Sequence, residues 1–163
     1  MFPRFNSFSG SIARATDWIV AMMGIVMIVS LVLQVFSRYI LGATFVWTEE
    51  LALLLFTWLL LLAMTSAVYH NGHVRLLFIV EILPRKPREI WLSFLSLVVL
   101  IFFLVFAWSG YRYVAATVGQ TSAAIRYPVE ALHLAAPVCG VLGAIQALNR
   151  LINPLTSAKE DFT

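Results

Sequence analysis

The sequence predicts an all-α integral membrane protein with four transmembrane helices. Of its 163 residues, 61% are hydrophobic and 12% charged, and a mean hydropathy of +0.91 lies far outside the range of soluble domains. Four apolar runs, 18–40, 48–69, 90–113 and 129–150, are each long enough to cross a hydrocarbon core of about 30 Å, which takes roughly 20 helical residues. Short segments rich in Gly, Pro, Asn and charge join them. No stretch remains for a separate soluble domain, so residues 1–163 are expected to form a single four-helix membrane domain.

The first run follows Arg4 and Arg14. Its uncharged stretch from Trp18 to Ser37 is too long for a signal-peptide core, and Ser37-Arg38-Tyr39 is no small-residue cleavage site, so a retained helix is expected. The second run opens on Thr48-Glu49-Glu50 and is expected to end at Asn71-Gly72. The following "VRLLFIVEIL" is too short to span and too apolar for a free loop, which predicts an interfacial segment between helices 2 and 3. The fourth run carries two ridges of small residues at four-residue spacing, Ala136/Gly140/Ala144 and Ala135/Cys139/Gly143/Ala147. Such ridges let helix backbones approach closely, against a helix of this chain or of a partner. Pro137, one turn past His133, is expected to kink the start of that helix or to lie within its first turns. The single cysteine, Cys139, reads as a small packing residue that can form no internal disulfide.

Orientation follows from the basic residues, because cytoplasmic loops carry the excess of Lys and Arg. With the N-terminus inside, that face collects Arg4, Arg14, Arg75, Arg85, Lys86, Arg88, Arg150 and Lys159, leaving Arg38, Arg112 and Arg126 outside. Both termini are therefore expected to be cytoplasmic. Trp18 and Trp91 would mark the inner interface, with Trp47, Trp108, Tyr111 and Tyr113 at the outer one. Membrane lipid, rather than nucleic acid, accounts for the net charge of +3.

Glu49 and Glu50 then sit at the outer end of the second helix, close to Ser30, Gln34 and Arg38, which share one face of the first. Glu49 reads as a solvated carboxylate complementing the helix dipole, with Thr48 as a plausible cap. Glu50 begins a stripe with Leu54, Thr57 and Leu61, and ionisable groups near hydrocarbon are usually paired. Arg38 is its expected partner.

The stretch "RYILGATFVWTEELALLLFTWLLLLAMTSAVYHNGHVRLL" resembles the signature of the small membrane subunit of tripartite ATP-independent periplasmic (TRAP) transporters. Its elements are Arg38-Tyr39, a short loop, Trp47-x-Glu49-Glu50, a helix containing Trp58, then His73-Val74. The resemblance continues more weakly through Gly110 and "GQTSAAIRYPVEALHLAAPV", and departs at Ala63, often Gly in the family, and Leu77, often Asp. It implies an accessory subunit of a bacterial inner membrane, bound to a large multi-span TRAP membrane subunit. A periplasmic substrate-binding protein delivers an organic acid, and a sodium gradient drives uptake. On that basis Arg38, Trp47, Glu49, Glu50, Trp58, His73, Gly110 and Gly140 are the residues expected to serve structure or intersubunit contact.

No Asp, Glu, Lys, Arg or His lies mid-span, which suits a scaffold rather than a pathway. A rival reading is a four-helix membrane anchor of an electron-transfer complex, which needs axial histidines at similar depth. His70 and His73 belong to the inner end and His133 to the outer, about a bilayer apart. A small multidrug-type exporter would carry a membrane-embedded Glu in helix 1, where only Gln34 is found. No catalytic, cofactor or metal site is expected, and the protein is expected not to be an enzyme.

Overall fold

The computed structural model describes residues 3–43, 45–70 and 85–152. The expected Asn71-Gly72 terminator, His73 and the interfacial segment after it lie outside the described residues. Five helices are present among them: α1 (Pro3–Tyr39), α2 (Val46–Tyr69), α3 (Arg85–Thr117), α4 (Glu130–His133) and α5 (Ala135–Ile152). Counting α4 and α5 together as Glu130–Ile152, four helices are long and apolar enough to cross a membrane. The all-α, four-span expectation holds.

The helices outrun the apolar runs that predict them. A helix of 37 residues, the length of α1, extends about 55 Å at 1.5 Å per residue, well beyond a hydrocarbon core of about 30 Å. Pro3 suits its start, where a missing N–H costs nothing. Its end turns at Gly42, whose φ of 64° is a left-handed conformation that glycine adopts without penalty, and Ala43 N–H returns to the Ser37 carbonyl at 3.1 Å.

The fourth span is broken where the sequence predicts a kink. Pro137 has no N–H to offer the carbonyl of His133, four residues back, and the helix divides there into α4 and α5.

Packing runs in the order α1, α2, α5, α3. α1 lies against α2, α2 against α5, and α5 against α3, so α1 and α3 flank a central α2/α5 pair. Apart from Phe103, the inward faces of α1 and α3 are small or polar. On α1 the buried positions among those described are Ser9, Gly10, Ala13, Thr16, Ser30 and Ser37, and on α3 they are Ser96, Phe103, Gly110 and Thr117. Ser9, Thr16, Ser30 and Ser37 fall on one seven-residue repeat, and the α3 set on another. A seven-residue repeat keeps a single seam facing the neighbouring helix with left-handed supercoiling. Large apolar side chains such as Met22, Val29, Val32, Phe102, Val105 and Trp108 point outward. Lipid tails are as apolar as leucine, so close approach rather than burial of oil holds the helices together.

The small ridges of α5 are used inside the chain. A Cβ on Gly140 would stand 2.6 Å from the Ala107 Cα, one on Gly143 would overlap the Phe103 ring, and one on Gly110 would stand 2.9 Å from Pro137 N. Ala135, Cys139 and Ala147 are fully buried beside them, and Val68 of α2, Phe103 of α3 and Ala147 of α5 form the core cluster.

Candidate functional site: the paired acids and the α3–α4 strap

Glu49 and Glu50 are adjacent in sequence but face different elements, because successive helical residues point about 100° apart. Glu49 turns to α1. Arg38 Nη2 donates to its Oε1 at 3.2 Å, and Gln34 Nε2 donates to the same oxygen. The Arg38 and Glu49 side chains are 52% and 46% exposed, so in open water the pair would contribute at most about 1 kcal/mol. The expected Arg38–Glu50 pair is therefore corrected: Arg38 takes the acid on the α1-facing side of α2, and Glu50 lies one helical step away from it. Thr48 Oγ1 donates to the Phe45 carbonyl at 2.6 Å, and thus folds back instead of capping the helix N–H groups.

Glu50 faces the connection between α3 and α4. Ser122 O–H donates to its Oε2 at 2.7 Å, Ala124 N–H to its Oε1 at 2.7 Å, and Ile125 N–H to its Oε2 at 3.0 Å. Burial, and then the charge of Glu50, pushes the Tyr127 phenol above its ordinary pKa, so it stays neutral beside the carboxylate. A third acid, Glu130, accepts from Gly119 N–H at 2.7 Å. Each of these three carboxylates is thus spent on a contact within the chain.

A second ionisable cluster joins α1, fifteen residues into the helix, to the C-terminal end of α2. Asp17 accepts from Ser66 O–H, and His70 Nε2 lies 2.9 Å from its Oδ2. Asp17 escapes a span drawn from Trp18, yet the helix runs through it without a break. On α1, Asp17 and Arg38 are 38 − 17 = 21 residues apart; on α2 and its C-cap, Glu49 and His70 are 70 − 49 = 21 residues apart. At 1.5 Å per residue both intervals measure about 31 Å, the thickness of a hydrocarbon core. The antiparallel hairpin is thus fixed in register by one pair at each end. Between the pairs, Glu50 lies one residue inside the Arg38–Glu49 level, and beyond it residues 18–37 and 51–69 hold no ionisable group apart from Tyr69 beside His70.

Trp58, in the middle of α2, donates through Nε1 to the Ala131 carbonyl of α4 at 2.9 Å. Trp58→Phe keeps most of the ring and removes this bond, and thermal unfolding in mild detergent is expected to show a loss of about 0.5–1.5 kcal/mol. Toward the N-terminal end of α1, Gln146 of α5 is bonded twice to Ser9, through its Oε1 and, at 3.2 Å, through its Nε2. His133 Nδ1 lies 2.8 Å from Thr117 Oγ1, with its ring 4.4 Å from that of Tyr113. Trp47 is exposed, two residues before Glu49. Of the residues singled out from the sequence, Glu49 and Arg38 are brought together, as are Gly110 and Gly140 along the α3/α5 seam. Asp17, Ser122 and Gln146 were not singled out.

Residues 27–157 match the family described as "Tripartite ATP-independent periplasmic transporters, DctQ component". The chain belongs to this family. As a DctQ-type small permease subunit it is a multi-pass protein of the inner membrane with an accessory place in its transporter. It is 28% identical over 127 residues to the sialic acid TRAP transporter small permease protein SiaQ of Vibrio cholerae, a match covering 74% of this chain and 69% of that one. It is also 29% identical over 121 residues to the sialic acid TRAP transporter permease protein SiaT of Haemophilus influenzae, covering 74% of this chain but only 18% of that longer protein. The family match takes in the Arg38–Glu49 pair, the Glu50 contacts and the α3/α5 seam, whereas Asp17 precedes it.

Proposed function

We propose that this DctQ-type chain is a scaffold that steadies a larger multi-span permease subunit while that subunit moves the substrate. One observation carries the proposal: along the α1/α2 hairpin, residues 18–37 and 51–69 hold no carboxylate, ammonium, guanidinium or imidazole. A pathway for an ion or an organic anion ordinarily needs such groups, or discontinuous helices, near the bilayer midplane. The continuous α1, α2 and α3 offer neither. That a similar segment makes up 18% of the longer SiaT permease supports placing the larger partner in the same membrane.

In this scheme the larger subunit takes up an organic acid handed over by a periplasmic substrate-binding protein and driven by a sodium gradient, and this chain performs no covalent chemistry. Both termini face the cytoplasm, as the excess of Lys and Arg on that side favours. The outward apolar faces of α1 and α3 are then shared between lipid and the larger subunit. Affinity purification of the tagged chain in mild detergent tests the assembly. It is expected to bring down a larger membrane protein in fixed stoichiometry, and recovery of the chain alone from its native membrane would count against the scaffold.

A further inference from the structure

The connection between α3 and α4 is built as a narrow hairpin. Val129 N–H donates to the Gln120 carbonyl at 3.0 Å and Ser122 N–H to the Tyr127 carbonyl at 2.9 Å, with Thr121 bridged to Pro128. Gly119 enters it at φ 85°, and Arg126 holds φ 54° at its far end. A left-handed arginine persists only where surrounding contacts hold it. Tyr127 N–H fills one lone pair of Ser122 Oγ at 3.2 Å, which leaves the Ser122 proton for Glu50.

At the tip, the Ser122 hydroxyl and the Ala124 and Ile125 N–H groups all aim at one point, and the group found there comes from a helix more than 70 residues earlier in sequence. Three convergent donors with no intervening acceptor match a carboxylate, whose two oxygens accept only. An amide of the same shape fails, because its NH2 group would point donors at donors. We propose that the 119–129 strap is a carboxylate receptor that the chain fills with its own Glu50, so that one charge latches the outer α3–α4 connection onto α2.

Arg126 supplies the readout. It is the only trypsin site in the strap, while Arg112 lies within α3 and reports loosening of the whole chain. Cleavage of the full chain in mild detergent is followed by mass spectrometry. Glu50→Gln is expected to speed cleavage after Arg126 about tenfold or more, the consequence of losing hydrogen bonds to a charged acceptor. Glu49→Gln should leave that rate unchanged, and the bond after Arg112 should stay intact in both. In Glu50→Ala, added formate should occupy the vacated receptor and slow cleavage after Arg126 again. Equal rates for Glu50→Gln and the wild type, or no effect of formate, would overturn the proposal. If Glu50→Gln also exposes Arg112, Ser122→Ala decides, since it deletes one donor and spares the carboxylate. Faster cleavage after Arg126 alone then supports the latch, and an unchanged rate overturns it.

Discussion

Gly140→Ala is expected to force α3 and α5 apart and to lower both the yield and the melting temperature of the chain in detergent. The added methyl would stand 2.6 Å from the Ala107 Cα and 2.7 Å from its nitrogen, closer than any carbon packs. Those atoms are backbone, so no rotamer change on α3 relieves the clash. Overpacking of this kind costs about 1–3 kcal/mol, and Gly140→Leu is expected to cost more. Gly143→Ala differs in mechanism, because its methyl meets the Phe103 ring. A second change, Phe103→Leu, should recover part of the loss at Gly143 and none of the loss at Gly140. Leu104→Val, on the outward face of α3, should be nearly silent.

Charge reversal at Glu50 is the second large effect expected. Glu50→Arg sets a cation against one hydroxyl and two N–H donors that now converge on a carboxylate, and no acceptor there can receive it. The expected outcome is loss of folded, monodisperse protein, with no recovery when Arg38→Glu is added. The exchange of Arg38 with Glu49 behaves differently. Arg38→Glu alone sets its carboxylate against that of Glu49 across the α1/α2 seam, and adding Glu49→Arg restores an opposite-charge pair at the 3.2 Å contact. Recovery by the 38/49 exchange, together with failure of the 38/50 exchange, distinguishes the two acids in one set of size-exclusion profiles. Recovery by the 38/50 exchange would contradict the observed pairing.

These contrasts also mark what a sequence can reveal. The spans are legible because apolar runs of membrane length have few other uses, and the break at the fourth helix follows from the missing N–H of Pro137. The small face of α5 is legible as a ridge, and Gly110 is legible through the family resemblance, but Ala107, against which Gly140 packs, looks like an ordinary residue of an apolar helix. Inward and outward faces of α1 are hard to separate by hydrophobicity, because Ser9, Thr16, Ser30 and Ser37 are buried while Val29 and Val32 face out. The partner of Glu50 is the least legible feature. Two of its three donors are backbone N–H groups, which every non-proline residue carries, so no side-chain pattern announces them. Asp17 was hidden by its place at the edge of the apolar run, where a carboxylate reads as lying outside the helix rather than pairing across it.

The central claim, that this chain supports transport without providing the path, is tested most directly by reconstitution into proteoliposomes with an inward sodium gradient. The account predicts no substrate uptake by this chain alone, and uptake when the larger permease subunit and the periplasmic binding protein are present with it. Sodium-driven uptake by vesicles containing only this chain would contradict it.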